Sequence, residues 1–205
     1  MASDAHAAPA IDRAGTSPLA RMNPAVLGMA IFIGSEIMVF AAFFVAYFIA
    51  RANTAQWPPQ FSGVEPFEPL PKLITGINTA ILVFSSFTLW WGEKRLAAGD
   101  RRGLIRGLIL TLMLGSTFLI IQINEYVHLG FTPQDTIFGT VFYLLTGLHG
   151  LHVFVGLCVL WFALNRARKQ NEFRHGAAGP LVAGSIYWHF VDVVWIFLYV
   201  VVYLI

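Results

Sequence analysis

Five long apolar runs dominate the chain, at about residues 25–50, 71–92, 104–127, 137–164 and 179–204. A helix crossing roughly 30 Å of hydrocarbon needs about 20 mostly apolar residues, and each run meets that length. The runs are continuously apolar and do not alternate, so they predict helices and not the strands of a membrane barrel. Breakers separate them. Trp57-Pro58-Pro59 with Pro66, Pro69 and Pro71 mark the first connection, Gly99-Asp100 the second, Pro133-Gln134-Asp135 the third, and Asn165 to Pro180 the fourth. The pattern predicts an all-α integral membrane protein, a bundle of five transmembrane helices over 25–205 behind a polar tail over 1–24. That tail lacks the basic start and apolar stretch of a signal peptide. No internal repeat, low-complexity tract or second domain is evident.

Composition agrees with a bilayer environment. Apolar residues make up 57% of the chain and charged residues 12%, and mean hydropathy is +0.68. Soluble domains carry about 25% charge, so this chain cannot cover a globular surface with polar groups. The single cysteine, Cys158, lies in an apolar run and offers neither an intrachain disulfide nor a paired metal site. A net charge of +2 is too small to indicate a nucleic-acid partner.

The basic residues sort to one side. Arg13 and Arg21 lie in the tail, Lys94, Arg95, Arg101, Arg102 and Arg106 around the second connection, and Arg166, Arg168, Lys169 and Arg174 around the fourth. Only Arg51 and Lys72 lie on the other side. By the positive-inside rule this imbalance puts the N-terminus in the cytoplasm and the C-terminus outside.

The ionisable residues within the runs are Glu36, Glu125, His149, His152, His189 and Asp192. A charged side chain at the bilayer centre costs about 3 kcal/mol on insertion scales, so these groups are expected against protein, not lipid. His149 and His152 are three residues apart, as are His189 and Asp192, which puts each pair on one side of its helix. Gly147, Gly150 and Gly156 around the histidines allow a neighbouring helix to approach. Glu36 and His149 lie at similar depths, and we expect them to be partners across helices one and four.

A structural role is the plainest reading of these groups: buried polar residues that set helix register and meet a partner subunit. A free-standing transporter would also place ionisable groups at mid-depth, but it ordinarily shows repeated or discontinuous helices, and none are found here. Glu125-Tyr126-Val127-His128 is a Glu-x-x-His unit, which di-iron bundles use twice with two further carboxylates. One copy falls short of that enzyme. Trp90, Trp91, Tyr126, Tyr199 and Tyr203 lie near run ends, as belt aromatics do.

Two stretches carry a resemblance. Tyr143-Leu144-Leu145-Thr146-Gly147-Leu148-His149-Gly150-Leu151-His152-Val153 and Tyr187-Trp188-His189-Phe190-Val191-Asp192-Val193-Val194-Trp195-Ile196-Phe197-Leu198-Tyr199 are similar to the signatures of cytochrome oxidase subunit III. Ser35-Glu36, Trp57-Pro58-Pro59, Asn78-Thr79, and Gln122 with Glu125-Tyr126 resemble further family positions in the same order. The likeness covers about residues 24–205 and matches the five-helix bacterial form, where mitochondrial-type members have seven helices.

The resemblance implies a non-catalytic core subunit of a proton-pumping haem–copper terminal oxidase, in a bacterial plasma membrane. Haem and copper are then expected in partner subunits I and II, with no cofactor or metal bound by this chain. The family's subunit III supports sustained proton uptake, protects subunit I and holds phospholipid. Glu36, Glu125, His149, His152, His189 and Asp192 are then buried hydrogen-bonding positions. Arg95, Arg102 and Arg166 are candidates for anionic lipid headgroups, although their plainer role is as topology signals. Membrane lipids and other respiratory complexes complete the expected partners. Subunit III of a quinol oxidase and a nitric oxide reductase-associated homologue are the alternatives within the superfamily. Retention of Glu36 leans towards cytochrome c as electron donor.

Overall fold

A computed structural model describes residues 23–57, 72–169 and 179–205. Most of the polar tail, the Pro58–Pro59 loop and much of the fourth connection, with Arg13, Arg21 and Arg174, lie outside the described residues. Among the described residues there are five long helices and no strand: α1 (Pro24–Ala52), α2 (Lys72–Ala97), α3 (Arg101–His128), α4 (Ile137–Arg168) and α5 (Gly179–Tyr199). A π-helical turn, Val200–Leu204, continues α5. All five helices are long and apolar enough to cross a membrane.

Several helix ends overrun the apolar runs on the basic side. α2 continues through Lys94 and Arg95, α3 begins at Arg101, and α4 ends on Arg166 and Arg168. Long basic side chains lay their stems along apolar surface and keep the charge in water, so the helix continues past the hydrocarbon.

Capping explains the boundaries. Asn23 accepts from Ala25 N at 3.0 Å with Pro24 in the first turn of α1. Asp100 accepts from Gly103 N at 2.9 Å at the start of α3, and Thr136 accepts from Gly139 N at 3.0 Å at the start of α4. α2 ends where Asp100 N donates to Arg95 O at 2.8 Å across Gly99, whose φ of +82° is the left-handed conformation that glycine adopts without Cβ strain.

α2, α3, α4 and α5 form a four-helix ring, each packed on the next, and α1 lies outside it against α4 and α5. The α2/α3 hairpin is the most extensive contact. It is close because two glycines meet there: a Cβ on Gly107 would stand 2.7 Å from the Gly92 Cα. α5 is the most buried of the five helices and α1 the least.

The core centres on Trp188 and Trp195 of α5, both fully buried. Trp188 sits between Gly115 of α3 and Gly156 of α4, where an added Cβ would come within 2.6 and 2.8 Å of its ring. Its indole N–H donates to Ser85 Oγ at 3.0 Å, and that of Trp195 donates to Thr79 Oγ1 at 2.9 Å. The outer surface is apolar, with Ile31, Met38, Leu73, Met113, Ile120 and Val193 all exposed.

Candidate functional site

The intramembrane polar residues fall into separate clusters in different helix seams. In the α1/α4 seam, His152 Nε2 lies 2.8 Å from Glu36 Oε2, and His152 Nδ1 lies 2.8 Å from the Leu148 carbonyl. A carbonyl accepts only, so Nδ1 carries a hydrogen. The contact with Glu36 therefore holds one further proton, shared between carboxyl and imidazole. Phe40 and Tyr187 flank the ring, and the Tyr187 hydroxyl donates to His152 O at 3.1 Å.

The expected partnership of Glu36 with His149 is not what forms. Residues three apart on a helix differ by about 60° in direction, and His152 takes the direction that faces α1. His149 points into the ring of helices, fully buried, with its centroid 4.7 Å from Trp195 and 6.0 Å from Phe118. Neither of its ring nitrogens has a hydrogen-bond partner among the described residues. The two histidines thus share a helix but not a site.

In the α2/α5 seam, Ser86 Oγ donates to Asp192 Oδ2 in a very short hydrogen bond. The same oxygen lies 3.0 Å from His189 Nδ1. With the Ser86 hydrogen directed at the carboxylate, His189 is the donor to Ser86. His189 and Asp192 therefore do share a side of α5, bridged by a serine.

The third cluster joins α2, α3 and the π-helical turn. Thr75 Oγ1 lies 3.3 and 3.2 Å from the two Glu125 oxygens, and the Tyr203 hydroxyl donates to Glu125 Oε1 at 3.0 Å. Nearby, Tyr126 donates to Thr146 at 2.7 Å, and Thr146 to the Phe142 carbonyl at 2.7 Å. His128 is exposed and turns back to its own helix, its Nδ1 2.8 Å from Asn124 O. The Glu-x-x-His unit thus has its two members in different surroundings.

Ser86 and Thr75, which complete two of these clusters, are not among the residues singled out from the sequence, and Tyr203, expected there as a belt aromatic, is buried at 2% exposure and donates to Glu125 instead. A signal for the first two was present. Thr75, Asn78, Thr79, Ser85 and Ser86 form a polar stripe along α2 at helical spacing, and Thr75, Asn78 and Ser85 are fully buried. The inward direction of Tyr203 has no such signal, because it lies on the π-helical turn that continues α5.

At the basic side, Arg95 lies over the Trp91 ring at 5.2 Å and 4.0 Å from Asp100. Arg102 is exposed. Arg166 lines a surface pocket of about 260 Å³ with Phe162, Asn165 and Lys169. Among the described residues, no group of three or more His, Cys, Asp or Glu is placed to hold a metal ion.

Comparison with known proteins is consistent along nearly the whole chain. The family model for cytochrome c oxidase subunit III matches residues 13–205. The cytochrome c oxidase subunit 3 of Thermostichus vulcanus is 36% identical over 195 residues, covering 95% of this chain and 92% of that protein. The corresponding protein of Paracentrotus lividus is 41% identical over 180 residues, covering 85% of this chain and 67% of its own length. That of Locusta migratoria is 40% identical over 181 residues, 86% of this chain and 67% of that protein. With the match running through all five helices, the chain belongs to the cytochrome c oxidase subunit III family.

Proposed function

We propose that this chain is the non-catalytic third subunit of a proton-pumping haem–copper terminal oxidase, in a bacterial plasma membrane with its N-terminus in the cytoplasm. Oxygen chemistry, with its haem and copper, belongs in this reading to partner subunits I and II. The chain's task is to hold the side of subunit I, sustain its proton uptake and keep phospholipid at the interface. Arg95, Arg102 and Arg166 are the residues through which anionic headgroups would be held.

The observation that carries this reading is the dispersal of the intramembrane ionisable groups over three helix seams. Glu36, Glu125 and Asp192 are each engaged by a side chain from another helix or from the π-helical turn. A reaction centre would converge such groups on one point; register-setting groups are distributed as these are.

The test is a tagged purification from native membranes in mild detergent, with an optical spectrum and metal analysis of what co-elutes. Haem and copper arriving with larger subunits support the reading. Oxygen uptake with cytochrome c and with quinol then identifies the donor. A chain that elutes alone refutes it.

A further inference from the structure

We propose that the interior of the ring formed by α2, α3, α4 and α5 binds water, in a site made by Asn78, Gln122 and His149. The site does not depend on the reading of this chain as an oxidase subunit.

The three side chains come from three helices and meet at one level of the ring. Asn78 Nδ2 donates to the Phe118 carbonyl at 3.1 Å, and Gln122 stands one turn beyond Phe118 on α3. Tyr126, a further turn along α3, donates to Thr146 of α4 at 2.7 Å. α4 runs back along α3, so the three residues from Thr146 to His149 return about 4.5 Å towards the level of Gln122. The His149 ring lies 6.0 Å from Phe118 and 4.7 Å from Trp195, which sets it inside the bundle. Asn78 and His149 are fully buried and Gln122 is 2% exposed.

The unmet atoms select the ligand. Asn78 Oδ1, both ends of the Gln122 amide and both ring nitrogens of His149 have no hydrogen-bond partner among the described residues. Asn78 Oδ1 only accepts. The Gln122 amide offers two hydrogens and an acceptor oxygen, and a neutral imidazole offers one donor and one acceptor whichever tautomer it takes. A cation would leave the donors unmet, and an anion would leave the acceptors unmet. A direct bond between Gln122 and His149 would use one atom of each and leave the rest as they are. Water gives and takes hydrogen bonds, and a buried molecule makes about three of them. Within a membrane bundle these groups have no bulk solvent to turn to, so a bound molecule must serve them.

The packing has room at this level. A Cβ on Gly147 or Gly150, either side of His149 in α4, would come no closer than 3.9 Å to Tyr126 or 3.8 Å to Leu119. Around Trp188, by contrast, Gly115 and Gly156 leave no space for one, with approaches of 2.6 and 2.8 Å.

The experiment uses the full complex purified from native membranes. Electron cryomicroscopy at a resolution that shows ordered water should find density within hydrogen-bond distance of both the His149 ring and the Gln122 amide. Solid-state NMR on isotope-labelled histidine gives a second readout. Polarisation from water protons should reach the His149 ring, a signal assigned by its loss in His149→Phe. Gln122→Leu, which removes two of the unmet atoms, should cut that transfer several-fold and leave the exposed His128 unchanged. Wild-type side chains in direct contact with no density between them, or a His149 ring that receives nothing from water, overturn the site. Density that follows the sodium or potassium concentration marks a cation and overturns it as well.

Discussion

His152 Nε2 and Glu36 Oε2 stand 2.8 Å apart across the α1/α4 seam, with the other imidazole nitrogen committed to the Leu148 carbonyl. The pair fastens the most exposed helix to the ring and leaves both side chains largely buried, at 11% and 16% exposure. Glu36→Gln keeps a donor for Nε2, so it should cost less than about 1 kcal/mol. Glu36→Ala leaves the imidazole unpaired and should cost about 1–3 kcal/mol. Thermal unfolding of this chain within the purified complex measures both. Equal losses would show that an amide does not replace the carboxyl in this contact, and no loss in either variant would show that the hydrogen bond contributes nothing.

Glu125 and Tyr203 belong to one network, so their substitutions should not add. Tyr203→Phe alone leaves Glu125 Oε1 without its 3.0 Å donor. Tyr203→Phe with Glu125→Leu removes donor and acceptor together. A double-mutant cycle on stability should give a coupling of at least about 0.5 kcal/mol, and simple additivity would deny the contact.

Glycine sites differ in what an added methyl group meets. Gly107→Ala pushes against the Gly92 backbone and Gly115→Ala against the buried Trp188 ring. Each should destabilise the chain by about 1–3 kcal/mol through overpacking. Gly28→Ala meets nothing within 4 Å and should be neutral or mildly stabilising. Comparing melting points of the three variants checks the ranking.

Arg101 ties the start of α3 to the end of α4. Its Nε and a terminal nitrogen donate to Ala167 O and Arg168 O, both at 2.7 Å, capping carbonyls that the helix leaves free. Arg101→Lys cannot reproduce this forked geometry. It should therefore behave much like Arg101→Ala, each losing about 1 kcal/mol, within the range of a solvent-accessible hydrogen bond. A lysine variant of unchanged melting temperature would show that the fork is dispensable.

Arg51 and Tyr47 of α1 serve the opposite end of the bundle. Arg51 donates to Ile205 O at 2.9 Å and Tyr47 to Val201 O at 3.2 Å, with Trp57 donating to the Tyr47 hydroxyl at 3.1 Å. These bonds hold the π-helical turn that carries Tyr203. Tyr47→Phe should therefore weaken the distant Glu125 cluster, lowering the Glu125–Tyr203 coupling energy as well as overall stability. An unchanged coupling would separate the two features.

The five helices were legible because a bilayer leaves the backbone few choices. Each polar group must be satisfied within its own segment, so length and apolarity suffice to place a span. The family was legible from the His149–His152 and His189–Asp192 stretches. What could not be read was the partner of Glu36. Depth along a helix follows from residue counting, but rotation about the helix axis does not. In α4 that rotation is set by Gly156 receiving Trp188, and it turns His152 to α1 and His149 to Trp195. The same holds for Ser86 bridging His189 and Asp192, and for Tyr203 reaching Glu125 after a π-helical turn. The number of helices that cross, the polar residues within them and the family they belong to follow from run length and local motifs, which need no knowledge of packing. Which polar group meets which is a matter of packing, because those pairings depend on helix rotations set by close contact between segments far apart in the chain.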